Sequence, residues 1–340
     1  SYTAEITQLI DLRSDTVTKP SPEMLAAMQS AATGDDVYGE DPTVNELEQL
    51  GAEITGKQAA LYCVSGTQSN LLALLSHCER GQEFSAGHDP HAYKYEGGGA
   101  AALGGIQPCT LPFNARGELP LDDIRALIKP DDLHFAVTRL LCLENTQAGQ
   151  VLSLDYLRAF SQLAQDYQLR RHMDGARGFN AAVKLGVPIE DICEYFDTVS
   201  LCLSKGLACP VGSLLVGDEA TINKARRYRK MIGGGMRQAG VIAAAGIYAL
   251  RNNVNRLQQD HDNAELIANY ISQFEHIGVA QQPHTNMVMI SSQTDIKKLQ
   301  AFLANRNIRI SGRRWVLHRD ISQSDVETII SACEAYNSLA

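Results

Sequence analysis

Apolar and polar positions follow two alternating periods along most of the chain. Short apolar runs such as AALYC, RLLCLE and VSLCL predict buried strands. Between them, TVNELEQLGAEITG and SLDYLRAFSQLAQDYQL have apolar residues every three or four positions, which predicts amphipathic helices. Strands that alternate with helices of this length form βαβ units. The pattern therefore predicts an α/β fold with a mostly parallel sheet covered on both faces.

The pattern changes after a long helical passage, AGVIAAAGIYALRNNVNRLQQDHDNAELIANYISQF. Beyond it, the short apolar segments TNMVMIS, IRIS and RRWVLHR alternate with two further helical segments. We place a domain boundary at this change. Residues 20–249 are predicted to form a large domain and residues 250–340 a smaller α/β domain, with residues 1–19 as an N-terminal segment.

Composition narrows the function classes. The 340 residues are 44% hydrophobic and 20% charged, as in ordinary globular proteins, and the formal net charge of −9 disfavours nucleic acid and anionic membranes as partners. No apolar run reaches the roughly 18 residues that span a bilayer, and the first residues lack the pattern of a signal peptide. The eight cysteines form no CxxC pair, which predicts free thiols in the cytoplasm and no metal site.

Three short segments carry candidate chemistry. In VSGTQSN, Gly66 and Thr67 stand where a strand gives way to a helix, and the N–H groups of a helix start can bind phosphate. An ordinary helix cap is the alternative. In HMDGAR, Asp174 ends a strand, where ligands of parallel sheets bind, although it could equally cap a turn.

The third segment is LCLSKGLACP, where Lys205 stands alone between apolar runs. Burial of an amine favours its neutral, nucleophilic form, which attacks aldehydes. The alternative is a lysine whose stem packs while its ammonium reaches water. A phosphate cup, a strand-end carboxylate and an amine are together what pyridoxal 5′-phosphate requires, so we predict this cofactor.

Longer motifs carry a family resemblance. IDLRSDTVTKP, GDDVYGEDPTVNELE, YEGGGAAALGG, DGARGFNAAV and LSKGL resemble the low-specificity L-threonine aldolases, which are fold-type I enzymes dependent on pyridoxal phosphate. The resemblance implies an aspartate aminotransferase-like large domain with a mostly parallel seven-stranded sheet. It implies reversible retro-aldol cleavage of L-threonine, L-allo-threonine and relatives such as phenylserine to glycine and an aldehyde. A β-eliminating lyase or an aminotransferase on the same fold is the alternative.

The resemblance also implies roles for individual residues. Lys205 would form the Schiff base, Asp174 would hold the pyridine nitrogen, and Gly66 and Thr67 would bind the phosphate. His91 would stack on the cofactor ring, and either His91 or His134 would supply or order the catalytic base. Arg177 would contact the cofactor's phenolic oxygen side or the substrate carboxylate.

The remaining implied residues bind the substrate or belong to a shared site. Ser14 and Arg314 would hold the substrate carboxylate, with Arg313 as an alternative to Arg314, and Tyr95 would line the substrate site. The family generally forms homotetramers, as dimers of dimers with shared sites. Residues 1–19 would contribute to the active site, and three residues would reach a neighbouring subunit's cofactor or substrate: Tyr38, Lys230 and Arg237.

Some features leave further interpretations open. Arg13 and Asp15 could form a local ion pair that shapes the N-terminal loop, and Arg226 and Arg229 could lie on a solvated basic helix face. Gly178 replaces a usual bulky apolar residue of the family, which we interpret as space opened near the cofactor. Two further departures involve the Gln147-Ala148 pair and the Ala208-Cys209 pair; at the second, the Ala208 methyl could shift the turn after Lys205.

Overall fold

A central sheet dominates the computed structural model, which describes residues 8–88 and 98–340. After a two-residue strand β1 (Ile10–Asp11), seven strands of the described chain build this sheet: β2 (Ala59–Cys63), β3 (Gln82–Gly87), β4 (Gln107–Leu111), β5 (Val137–Glu144), β6 (Arg170–Gly175), β7 (Thr198–Cys202) and β8 (Ser213–Gly217). Their order is β2-β8-β7-β6-β5-β3-β4, and β8 runs in the opposite direction to the other six strands. The predicted seven-stranded, mostly parallel sheet is confirmed.

The helices of the described chain cover this sheet and a second, smaller core. They are α1 (Pro22–Gln29), α2 (Pro42–Thr55), α3 (Gly66–His77), α4 (Gly99–Gly104), α5 (Leu121–Leu127), α6 (Leu154–Asp166), α7 (Gly178–Leu185), α8 (Glu190–Cys193), α9 (Glu219–Met231), α10 (Gly240–Asn252), α11 (Leu257–Ile271), α12 (Ile296–Ala304) and α13 (Gln323–Leu339). Among these helices, none is both long and apolar enough to cross a membrane.

Helix ends follow local chemistry. Asp41 caps α2 by accepting from two backbone N–H groups, and Gly56 ends it at φ +68°, as its glycine signal predicts. The segment QSNLLALLSHCERG predicts in the same way a helix that ends at Gly81, and this prediction is wrong. Cys78 is already extended, at φ −119° and ψ 145°, so α3 stops at His77.

A second hydrophobic core forms around the strands near the C-terminus. β1 pairs in parallel with β10 (Ile308–Arg309), and β9 (Met287–Met289) pairs antiparallel with β11 (Arg314–Val316). Trp315 is fully buried there. Leu257 packs in the first core, around the central sheet, whereas Ala264 packs in the second. The change between the two cores therefore falls within α11. The division at residues 249–250 stays a prediction.

Candidate active site

Lys205 lies in the loop directly after β7 and is half-buried. Its backbone oxygen accepts from Thr18 Oγ1 at 2.9 Å and from the Ala208 N–H at 3.0 Å. Ala208 is fully buried and adopts φ +66°, a left-handed conformation that glycine takes at lower cost. The alanine therefore completes this turn in the conformation that favours glycine.

The start of α3 faces the end of β7. Ser65 caps α3 by accepting from the Gln68 N–H at 3.1 Å. The first-turn N–H groups of Gly66 and Thr67 have no carbonyl within the helix to bind, as at every helix start. A Cβ on Gly66 would lie 2.7 Å from Cys202 Sγ, so a larger residue would have to displace the thiol. The residue types and the close approach are those of a backbone cup for an anion.

Asp174 is buried at the carboxyl end of β6. Its Oδ1 accepts from the Ala176 N–H at 3.0 Å, and its Oδ2 accepts from Asn70 Nδ2 at 3.0 Å. Asn70 lies on α3, about one turn beyond Gly66. A single helix therefore presents the cup with its first turn and holds the carboxylate with its second.

These groups lie around the end of β7, because Asp174 pairs there with Ser200 and Gly66 approaches Cys202. Burial raises the pKa of the Cys202 thiol at the end of β7. The charged groups that also act on this thiol are Lys205, Asp174, Arg177 and Asp15. The cup, the carboxylate and the amine that were predicted separately are thus brought together around Cys202.

Arg177 and Asp15 form a buried ion pair. Arg177 donates from Nε and Nη2 to the two carboxylate oxygens of Asp15, at 3.0 and 2.7 Å, and their side chains are 6% and 0% exposed. Burial acts to raise the pKa of Asp15, but Arg177 outweighs it, helped by Lys205, and the pKa lies below its ordinary value. The alternative of a local pair between Arg13 and Asp15 is wrong, because Arg13 binds Asp11 instead.

The two candidate arginines of the small core differ in their contacts. Arg313 donates from Nη1 to the backbone oxygens of Ser291 and Thr294, so its guanidinium is already engaged. Arg314 is exposed at the start of β11. Ser14 is half-buried beside Asp15 and caps a short 3-10 turn by accepting from the Thr16 N–H. The carboxylate-binding roles of Ser14 and Arg314 stay predictions.

Tyr38, Arg237 and Lys230 lie on one exposed surface. Tyr38 is 75% exposed, and Arg237 donates to both oxygens of the nearby Asp35 at 3.1 and 2.9 Å. A Cβ on Gly235, two residues before Arg237, would lie 3.1 Å from Lys230 Cδ. The three predicted interface residues are therefore neighbours, and their reach into a second subunit stays a prediction.

The basic segment before this surface is not uniformly solvated. Arg229 is buried, where it donates to the Tyr62 carbonyl and pairs with Asp36 at 3.2 Å. Its assignment to a solvated helix face is wrong, because the guanidinium ties α9 to the end of β2. Arg226 is half-buried and pairs with Glu48.

His134 is the one predicted site histidine that the structure describes. His134 lies on an exposed turn, with Nδ1 2.6 Å from Asp132 Oδ1. Within the described residues, no hydrogen bond or ion pair joins His134 to Lys205 or Asp174. His91 and Tyr95 lie outside the described residues. The choice between His91 and His134 as base therefore stays open.

Gly178 does not face the site. A Cβ there would lie 3.0 Å from Leu201 Cδ2 and 3.7 Å from Ile189 Cδ1, within the first core. The interpretation that Gly178 opens space near the cofactor is therefore wrong. Sequence reasoning also missed Asn70, whose only signal is its position one turn after the cup.

The donor set fits pyridoxal 5′-phosphate. Gly66 lies at the start of α3, where its lack of a side chain lets the backbone approach Cys202, and the carboxylate of Asp174 is held at both oxygens by neutral N–H donors. Lys205 supplies an amine near the Cys202 thiol. The sheet order and this site define a fold-type I enzyme that uses pyridoxal 5′-phosphate.

Comparison with known proteins narrows the class. The model of the beta-eliminating lyase family matches residues 11–295. The chain is 49% identical to a low specificity L-threonine aldolase of Escherichia coli K12, over 96% of this chain and 99% of that protein. It is 44% identical to a probable low-specificity L-threonine aldolase of Arabidopsis thaliana, over 96% of both chains. The chain belongs to the beta-eliminating lyase family and, within it, to the low-specificity L-threonine aldolases.

Solved structures share the fold. A threonine aldolase of Leishmania major superposes with a TM-score of 0.83 at 18% identity, over 96% of this chain and 99% of that chain. At that identity the likeness supports the fold alone.

Proposed function

We propose that this chain is an aldolase that cleaves L-threonine, L-allo-threonine and related β-hydroxy-α-amino acids to glycine and an aldehyde. The observation that carries the proposal is the convergence of Lys205, Asp174 and the Gly66 cup in a chain 49% identical to a low specificity L-threonine aldolase. A β-eliminating lyase or an aminotransferase would use the same fold and the same cofactor, so the products decide between them.

The residues of the site divide the work of holding the cofactor. Gly66 and Thr67 would bind its phosphate through backbone N–H groups, and Lys205 would hold its aldehyde carbon. Asp174 would accept a hydrogen bond from the protonated ring nitrogen. When bound, pyridoxal 5′-phosphate supplies an electron sink for the electron pair left at Cα.

The substrate would be oriented by its carboxylate. Arg314 would bind it with a planar guanidinium fork, which matches a carboxylate in geometry, and Ser14 would donate its hydroxyl. The Arg177–Asp15 pair lies beside Lys205 and would keep Arg177 fixed at the cofactor's phenolic oxygen side. A base provided or ordered by His91 or His134 would remove the β-hydroxyl proton, which starts the cleavage of the Cα–Cβ bond.

A complete site would need a second subunit. Tyr38, Lys230 and Arg237 share an exposed surface, which supports their contribution to a neighbouring site in a homotetramer. Cytoplasmic localisation is supported by the eight unpaired cysteines, of which seven are buried.

The test is product analysis with the purified protein and added pyridoxal 5′-phosphate. L-threonine, L-allo-threonine and both diastereomers of phenylserine are supplied in turn, and glycine, aldehyde, keto acid and ammonia are measured. We expect glycine and an aldehyde in equal amounts, with no turnover by Lys205→Ala and full turnover by Lys184→Ala, an exposed lysine of α7. Keto acid and ammonia as main products would instead identify an eliminating lyase.

A further inference from the structure

Strand β6 and helix α3 face each other with matching polar positions. Arg170, His172 and Asp174 are two residues apart on β6, so they share one face of the strand. Asn70 and His77 are seven residues apart on α3, so they share one face of the helix. Asn70 binds Asp174 at one end of this contact, and Arg170 approaches His77 at the other. The polar side chains therefore meet in order along the whole contact.

Hydrogen bonds join these side chains, with one residue of β7, into a continuous series that we call the polar chain. Its members, in order, are Arg170, His77, Thr198, His172, Asn70 and Asp174. The successive donor–acceptor distances are 3.4, 2.8, 2.8, 2.9 and 3.0 Å. The polar chain leads from a partly exposed guanidinium to the carboxylate assigned to the cofactor.

The two ends of the polar chain fix the direction of every hydrogen bond between them. Arg170 can only donate, so His77 Nδ1 accepts and the proton of that ring lies on Nε2. His77 Nε2 then donates to Thr198, and the single hydroxyl proton of Thr198 points to His172 Nδ1.

The same direction continues to the site. Because His172 Nδ1 accepts, its ring proton lies on Nε2 and is donated to Asn70 Oδ1. The Asn70 amide must then turn its Nδ2 toward Asp174. Reasoning backwards from Asp174, which as a carboxylate can only accept, gives the same arrangement. One arrangement of protons therefore satisfies the whole polar chain.

The members of the polar chain beyond Arg170 are shielded from water. Thr198, His172 and Asn70 are 0%, 1% and 2% exposed. Burial lowers the pKa of His77 to about 3, helped by the neighbouring Arg170, and lowers that of His172 to about 3, helped by His77. Both imidazoles are therefore neutral near pH 7, and each carries one proton.

We propose that the polar chain is a positioning device that locks the Asn70 amide with its nitrogen toward Asp174. A reversed amide would turn an oxygen toward the carboxylate, so that two acceptors would face each other without a proton between them. The lock keeps Asp174 an acceptor, oriented to bind the ring nitrogen of the cofactor. The inference rests on the proposed function only through this last role, because the arrangement of protons belongs to the protein alone.

The first experiment reads the tautomers directly, on the cofactor-free protein near pH 7. Long-range ¹H–¹⁵N correlation spectra of histidine-labelled protein distinguish Nε2–H from Nδ1–H rings, with signals assigned from single-histidine variants. We expect His77 and His172 both as neutral Nε2–H tautomers. An Nδ1–H tautomer or a protonated ring at His172 would overturn the proposal. The result does not depend on aldolase activity.

The second experiment tests the link to the cofactor with a matched set of variants. His172→Leu removes the donor to Asn70, whereas His172→Gln retains an N–H donor at a similar reach. The control is His261→Leu, which removes a buried histidine that also binds an asparagine, Asn180, neither of which belongs to the polar chain. The affinity for pyridoxal 5′-phosphate is measured by equilibrium dialysis.

We expect His172→Leu to weaken cofactor binding about tenfold, the effect of one buried group left unpaired. His172→Gln is expected to restore most of this affinity, and His261→Leu to leave it unchanged. Equal affinities in His172→Leu and His261→Leu would refute the positioning role. Such a result would leave the proposed reaction untouched, because glycine release is measured separately.

Discussion

Arg177 holds both carboxylate oxygens of Asp15, with Nε–Oδ2 and Nη2–Oδ1 distances of 3.0 and 2.7 Å. The pair joins the N-terminal segment to the loop after β6. Asn286 also donates to Asp15 Oδ2 at 3.3 Å, so one carboxylate connects three distant parts of the chain. Both side chains are buried, so the loss of either one would leave the other as an unpaired charge in the interior.

Asp15→Asn is expected to destabilise the fold by about 3–5 kcal/mol, because it leaves the buried Arg177 without its counter-charge. The matched control is Asp11→Asn, which breaks the more exposed pair with Arg13 and should cost less than about 1 kcal/mol. Urea unfolding at pH 7 gives both values. Similar losses of unfolding free energy in the two variants would show that burial of the Arg177–Asp15 pair does not raise the cost of breaking it.

Gly66→Ala is expected to weaken cofactor binding tenfold or more. The new Cβ would lie 2.7 Å from Cys202 Sγ, an overpacking that costs about 1–3 kcal/mol. Gly99→Ala is the control, since it also changes the first residue of a helix but meets Leu71 at an ordinary 3.5 Å. Adding Cys202→Ala to Gly66→Ala should recover binding; a double variant no better than the single one would exclude the contact with sulfur as the cause.

Substitution of Arg314 is expected to weaken substrate binding, whereas substitution of Arg313 is expected to lower the stability of the fold. Arg314→Ala should raise KM for L-threonine about 10- to 100-fold, the loss of a charge-assisted hydrogen bond to the substrate carboxylate. Arg313→Ala should lower the free energy of unfolding by about 1–3 kcal/mol, because the Ser291 and Thr294 carbonyls lose their donor, without changing KM. If the KM effect appears at Arg313 instead, the assignment of the carboxylate site is reversed.

Stability is expected to fall with acid through the buried histidines. The pKa of His172 drops from 6.5 to about 3 on folding, so between these values the unfolded chain binds a proton that the folded chain does not. Stability is complete above pH 6.5 and is lost toward pH 3, by about 1.4 kcal/mol per pH unit for each such histidine. In urea unfolding between pH 7 and pH 4.5, His172→Gln should reduce this slope; an unchanged slope would contradict the burial of a neutral ring.

Sequence patterns predicted the features that depend on local chemistry. The apolar runs predicted the central strands, and the residue types of Gly66, Asp174 and Lys205 predicted a cofactor site. The reversed direction of β8 was not predictable, because an apolar run looks the same in either orientation. The partner of Asp15 was also hidden, since the nearest arginine in sequence, Arg13, lies next to Asp11 instead.

The direction in which a side chain points was also not predictable from the sequence. Gly178 follows the DGAR motif, and its neighbours in sequence suggested a place at the cofactor. In the fold its missing side chain would point to Leu201 and Ile189, inside the first core. Likewise, the ordered hydrogen bonds from Arg170 to Asp174 require the packing of α3 on β6.

The contacts of the N-terminal segment also join parts of the chain that lie far apart in sequence. Thr18 binds the Lys205 carbonyl, and Ile10 pairs with Ile308 in β10. Leu12 accepts from the Val316 N–H at 2.9 Å. Ile10 and Leu12 therefore bind residues far along the chain, whereas Thr18 binds a residue 187 positions away. Because such contacts close very long loops, docking of this segment is expected to be a late, slow step of folding.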